Sequence, residues 1–128
     1  MGEVTAREVL DRRRSEQAGL MARAEQLAET LDPALDVRAV VVFGSVARGD
    51  FHDSSDVDVL IVAGQLPDRA LARNAAVGLP PARVEFVAWT PDEWRRERDR
   101  GNPIAVEAAE RGVVLRGALP VGEAGPPS

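Results

Sequence analysis

Residues 38–43 read RAVVVF and residues 57–62 read VDVLIV. Short apolar runs rich in β-branched side chains are the mark of buried strands, so a fold of this chain has to be organised around a sheet. Between the runs lies a polar stretch that opens on Gly44-Ser45 and ends at Asp56, and a second aspartate, Asp58, sits inside the second run. Glycine followed by serine breaks the first strand and starts a short helix. The chain therefore presents a strand, a turn with free backbone amides, a polar loop, and a strand that opens on two carboxylates.

The remaining segments supply layers for that sheet. Residues 3–31 are expected to be helical, with Leu20, Ala24, Leu27 and Leu31 on one stripe and Leu10 and Gln17 extending it less cleanly. Gly19 is a point where this helix can bend or break, and Pro33 should stop it. The run Arg12–Arg14 reads as a solvated helix face. A short helix is expected over about 67–77, between Pro67 and Gly78, and an alternating third strand over 83–89. Thr90-Pro91-Asp92-Glu93 has the form of a capping box, with Trp89 and Trp94 at the positions of a hydrophobic staple. A further helix start at Asn102-Pro103 leads to a short last strand over 113–116. The expectation is one α/β (α+β) domain over residues 1–117, with its catalytic core at about 37–117. It has a small mixed sheet of three to four strands and helices packed mainly on one face. Residues 118–128, rich in glycine and proline, are expected to be a disordered tail.

Missing residue types narrow the chemistry. All 16 basic residues are arginine, since the chain has no lysine, and it has no cysteine or tyrosine either. A Walker-type phosphate loop and Schiff-base chemistry both need a lysine, so both are excluded. Without cysteine there are no disulfides or thiolate metal sites, and the single histidine, His52, rules out paired-histidine zinc chemistry. A Ser45/His52/Asp56 hydrolase triad can be written down, but its spacing does not resemble a nucleophile elbow; His52 reads as a solvated loop residue. The charged N-terminus and the lack of any long apolar run point to the cytoplasm and away from membranes. A net charge of −5 argues against direct nucleic-acid binding.

Strand alternation sorts the carboxylates. Residues two apart in a strand share a face, about 6.6 Å from one another, so Asp56 and Asp58 point together while Val57, Val59 and Ile61 point into a core. In the third strand Val84, Phe86 and Ala88 form the apolar set and Glu85 lies opposite. If the two strands share a sheet, Glu85 can stand beside Asp58. Three carboxylates with no lysine to neutralise them need a cation, and hard oxygen donors suit Mg²⁺. Gly44 and Ser45 offer backbone amides and a hydroxyl to a phosphate, and Arg48 lies one turn further on.

The string GSVARGDFHDSSDVDVLIV, with ten residues between Gly44-Ser45 and Asp56-x-Asp58, resembles the signature of the nucleotidyltransferase fold of the DNA polymerase β superfamily. It is most similar to the small prokaryotic branch, the minimal nucleotidyltransferases. The resemblance extends more loosely from Val37 to about Gly117. It implies a metal-dependent transfer of a nucleoside monophosphate, AMP from ATP, to an acceptor hydroxyl. Gly44, Ser45 and Arg48 would hold the triphosphate. Asp56, Asp58 and Glu85 would be the catalytic and metal-binding carboxylates, serving two Mg²⁺ ions with Mn²⁺ as an alternative. Many relatives carry Asp where this chain has Glu85, which leaves open whether Glu85 ligates metal or takes the acceptor's proton.

The chain leaves little room for an acceptor-binding domain. In the family such minimal proteins are commonly antitoxins that add AMP to an HEPN-type ribonuclease toxin, so a protein acceptor of that kind is the expected partner. Two alternatives stand beside it: a non-catalytic antitoxin that masks its partner by contact, and a small-molecule nucleotidyltransferase completed by homo-oligomerisation. Leu60 and Val62 share the aspartates' face and have to be covered either by the chain's own C-terminal helix or by a partner.

Overall fold

The computed structural model describes residues 3–121. Four strands form one sheet: β1 (Val37–Phe43), β2 (Val57–Ala63), β3 (Val84–Trp89) and β4 (Val113–Gly117), in the order β3-β2-β1-β4. β1 pairs antiparallel with β2 and with β4, whereas β2 and β3 run parallel. A parallel pair needs a crossover, and α3 (Ala70–Val77) lies in that connection. The other helices are α1 (Ala6–Thr30), the single turn α2 (Ser45–Arg48), α4 (Pro91–Asp99) and α5 (Pro103–Arg111), with a 3₁₀ turn at Pro33–Leu35. The mixed α/β architecture agrees with the expectation from sequence.

The helices do not gather mainly on one face, as the sequence reading had it. The last half of α1, from Leu20 through Leu27 and Ala28, packs with Val40, Val42, Val57, Val59 and Ile61, and Val77 of α3 joins this layer. On the opposite face Trp94 of α4 and Ala105 and Ala108 of α5 cover Ala39, Val41, Phe43, Leu60 and Val62. The two central strands are apolar on both sides, and a strand covered on both faces reads as an unbroken apolar run. The patch at Leu60 and Val62 is thus covered by the chain's own C-terminal helices.

α1 runs unbroken through Gly19, capped by Thr5, whose hydroxyl accepts from the Glu8 amide at 3.1 Å. Its buried stripe begins only at Leu20; Leu10 is exposed. The capping box at Thr90 forms with both reciprocal bonds. Trp89 and Trp94 stack at 6.4 Å between ring centroids, as a staple places them. Past β4 the backbone stays attached to the domain. The Ala118 amide donates to the Arg38 carbonyl, the Trp94 indole donates to the Pro120 carbonyl at 2.9 Å, and Leu119 packs on the α4–α5 side. Residues 122–128, the rest of the expected tail, lie outside the described residues. No helix among the described residues is long and apolar enough to cross a membrane.

Candidate active site

The register of the sheet builds the site. Phe43 is the partner of Asp58 across β1–β2, and Asp58 is the partner of Glu85 across β2–β3. One transverse row thus holds the end of the first strand and two of the three carboxylates. Asp58 is half-buried, while Glu85 and Asp56, which immediately precedes β2, are exposed. Together with Phe43, Phe86, Val87 and Ile104, Asp58 and Glu85 line a cleft of about 260 Å³. Its apolar wall is what half-buries Asp58.

Burial and like charge act on Asp58 together. Its carboxyl is pushed above the usual aspartate range first by burial, then by the negative charges of Glu85 and Asp56, and Arg48 offsets part of that rise. A carboxylate in this setting gains from a cation. Among the described residues no group of three or more His, Asp or Glu side chains is arranged to hold a metal ion alone. The neighbouring carboxylate oxygens of Asp58 and Glu85 are hard donors of the kind that suit a divalent cation such as Mg²⁺.

The Gly-Ser turn abuts the same carboxylate. Gly44 has φ +80° and ψ −158°, a region that L side chains rarely adopt, and a Cβ built on it would lie 2.6 Å from Asp58 Oδ2. Only glycine lets the end of β1 pass so close to Asp58. Gly44 caps α2 without a side chain, and α2 closes in one turn, with the Ser45 carbonyl accepting from the Gly49 amide at 2.9 Å and the Asp50 amide at 3.1 Å. Ser45 is half-buried at the head of that turn.

Arg48 is less free than its place in the motif suggests. Its Nε donates to Asp50 at 3.1 Å and its Nη1 to Glu107 of α5, and these carboxylates, Asp50 foremost, raise its pKa further. His52 is exposed and its Nδ1 pairs with the Ser54 hydroxyl at 2.9 Å, so it joins neither Ser45 nor the carboxylates. Ser55, the buried polar residue of the loop, accepts from the His52 amide at 2.9 Å and fixes the loop's turn.

Four residues position this site in ways that nothing in the sequence signals. Arg13, in the run read as solvated, reaches from α1 to the Gly49 and Phe51 carbonyls and lies 4.1 Å over the Phe51 ring; Arg12 and Arg14 are exposed. Gln17 adds a bond to the Val46 carbonyl at 2.7 Å. Arg83 sits at φ 66°, strained for a non-glycine residue. Its guanidinium donates to the Ser55 carbonyl and its own carbonyl accepts from the Val57 amide at 2.8 Å. That clasp sets the start of β3 against the start of β2 and so brings Glu85 beside Asp58. The fourth is Glu107, the partner of Arg48.

The profile of the nucleotidyltransferase domain family matches residues 23–111, a span that contains the whole constellation. The chain belongs to that family. Among curated proteins, two candidate protein adenylyltransferases of Methanocaldococcus jannaschii share short stretches with this nucleotidyltransferase domain. MJ0141 is 57% identical over 28 residues, covering 22% of this chain and 28% of the relative. MJ1305 is 44% identical over 39 residues, covering 30% and 26%. The chain thus matches only about a quarter of the length of these relatives. Among solved structures, a candidate nucleotidyltransferase from Sulfolobus solfataricus superposes with a TM-score of 0.60 at 22% identity, over 82% of this chain and 86% of that one. The two share a fold. A toxin–antitoxin structure with AMP-PNP is matched at a TM-score of 0.49 and 20% identity, over 76% and 73% of the two chains; so slight a likeness bears on neither ligand nor partner.

Proposed function

We propose that this nucleotidyltransferase domain transfers AMP from ATP to a hydroxyl of a partner protein, with pyrophosphate as the leaving group. The observation that carries the reading is the row Phe43–Asp58–Glu85 with Gly44 next in the chain: a turn whose glycine leaves no room for a Cβ beside a half-buried aspartate, with a second carboxylate at the next position across the sheet. Asp56 and Asp58 would hold a divalent cation, Mg²⁺ or Mn²⁺, with Glu85 beside them as a third ligand or as base. The ion would neutralise charge on the triphosphate. Gly44 and Ser45 would hold the β- and γ-phosphates through backbone amides and the Ser45 hydroxyl. The acceptor oxygen attacks the α-phosphorus, the bond to the β-phosphate bridging oxygen breaks, and the acceptor proton passes to Glu85.

Glu85 suits the proton-accepting role because it is exposed and stands between two spaces. One is the cleft it shares with Asp58. The other is an open apolar groove of about 710 Å³ between α3 and β3, lined by Leu71, Leu79, Pro80 and Phe86 among others. An acceptor seated from that side brings its hydroxyl to Glu85. The chain's own residues cannot serve as a tyrosine acceptor, since it has none. A protein acceptor is in keeping with what the two archaeal relatives are described as, and an HEPN-type toxin is the kind of partner that the motif's resemblance suggests, which would make this chain an antitoxin.

Incubation with α-labelled ATP, Mg²⁺ and the product of the neighbouring gene tests this. Label should pass to the partner with the wild type and not with Asp58→Asn. Equal labelling by both proteins, or label on no protein, would sink the proposal. Full neutralisation of the partner by Asp58→Asn would instead favour masking by contact.

A further inference from the structure

The guanidinium of Arg48 is gripped from two sides. Asp50, two residues on, takes Nε, and Glu107, from the facing helix α5, takes Nη1. The Arg48 and Glu107 side chains are partly exposed, at 30% and 26%, whereas Asp50 is 61% exposed. A guanidinium has five N–H donors; two are spent here, and the Nη2 edge makes no hydrogen bond within the described residues. Arg48 ends the same single turn that begins at Ser45. It is also close enough to Asp58 to lower that carboxyl's pKa against the other influences on it. Ile104, one turn before Glu107 on α5, is itself a wall of the Asp58 cleft.

From this geometry we infer that Glu107 is a positioning residue: it holds the Arg48 guanidinium so that its free edge faces an incoming triphosphate. The inference rests on the nucleotide-binding reading given above. A free arginine carries much rotamer entropy, which is lost when it binds a phosphate. An arginine held at two nitrogens has already lost most of it, so the remaining donors bind with less ordering still to do. Asp50 cannot supply this alone, because it is exposed and lies on the same loop as Arg48. Glu107 is fixed on a nine-residue helix whose Ala105 and Ala108 are buried against the sheet. The contact bridges 59 residues of sequence, so it also ties the phosphate turn to the C-terminal layer.

The test is the equilibrium affinity for ATP with Mg²⁺, measured calorimetrically on the full chain. Four proteins are compared: wild type, Glu107→Ala, Arg48→Ala and the double variant, each first shown by its thermal melt to be folded. Glu107→Ala should weaken ATP binding about two- to fivefold, the range expected for partly exposed charge pairs. In the Arg48→Ala background the same change should do nothing. Glu107→Gln, which keeps an acceptor oxygen, should recover most of the loss. A packing role would lower the melting temperature without this dependence on Arg48. Equal losses in both backgrounds, an unchanged affinity, or tighter binding by Glu107→Ala each overturn the inference while leaving the functional reading intact. Failure of the wild type to bind ATP overturns that reading and this inference with it.

Discussion

Replacing Gly44 by alanine separates two demands that the site places on one residue. The first is conformational: at φ +80° and ψ −158° the backbone lies in a region essentially reserved for glycine, and an L residue there costs about 1–3 kcal/mol. The second is spatial: the new Cβ would meet Asp58 Oδ2 at 2.6 Å, and the carboxylate has to retreat by the better part of an ångström. Gly78 provides the control. It has a similar backbone, φ +94° and ψ −178°, and a Cβ built there meets nothing within 4 Å. Gly78→Ala should therefore show the conformational cost alone. At roughly 4 °C per kcal/mol for a chain of this size, it should melt ~4–12 °C below wild type in a calorimetric scan. Gly44→Ala should melt lower still. It should also lose nucleotidyl transfer on the order of 100-fold, since a displacement near 1 Å at a reacting centre has about that effect. Combining Gly44→Ala with Asp58→Ala should return the melting cost to that of Gly78→Ala, because the contact is gone. If Gly44→Ala melts with Gly78→Ala and retains activity, the close approach of turn and carboxylate is not what the site depends on.

Other residues give independent checks. Because burial and the charges of Glu85 and Asp56 raise the Asp58 pKa, its contribution to stability is fully present below the ordinary aspartate range and is lost as pH rises through the raised value. Asp58→Asn should accordingly melt above wild type at neutral pH, with the difference vanishing in acid, and added Mg²⁺ should raise the wild type but not the variant. Arg73 ties α3 to the Pro67 and Ala88 carbonyls and to Glu93 at 2.8–3.0 Å; Arg73→Met should cost roughly 2–3 kcal/mol in urea denaturation. Trp94→Phe removes the indole bond to Pro120 and part of a fully buried ring. It should cost about 1–2 kcal/mol by the same measurement.

Much of the site could be read from the chain because local rules fix it. An apolar run, a glycine break and the strand period of two are enough to place Asp56 with Asp58 and to pick Glu85 from the third strand. Both halves of the capping box at Thr90 lie within four residues. The register between β2 and β3 is a different matter. It depends on Arg83, whose strained backbone and bond to Ser55 reach across 28 residues. Arg13 and Glu107 also act over long separations, from helix faces whose charge patterns look like ordinary solvated surface. No local signal distinguishes an arginine that reaches a distant carbonyl from one that points into water. The two-sided burial of the sheet was in principle legible: Val40–Phe43 has no polar alternation, and Leu60 and Val62 are as apolar as their neighbours. The cover that Leu60 and Val62 require comes from Trp94, Ala105 and Ala108, which lie more than 30 residues further along the chain. Past Gly117, composition suggested disorder, but Pro120 is held by a tryptophan donor 26 residues away.

The proposed function requires the Gly44 turn and the three carboxylates to act as one metal–triphosphate site. Binding of Mn²⁺, followed by electron paramagnetic resonance with and without a non-hydrolysable ATP analogue, tests it without reference to any acceptor. The analogue and Mn²⁺ should strengthen each other's binding, Asp58→Asn should abolish this coupling, and Glu85→Gln should weaken it. An analogue that binds equally well in the presence of a chelator, or a coupling that survives Asp58→Asn, would contradict the proposed function.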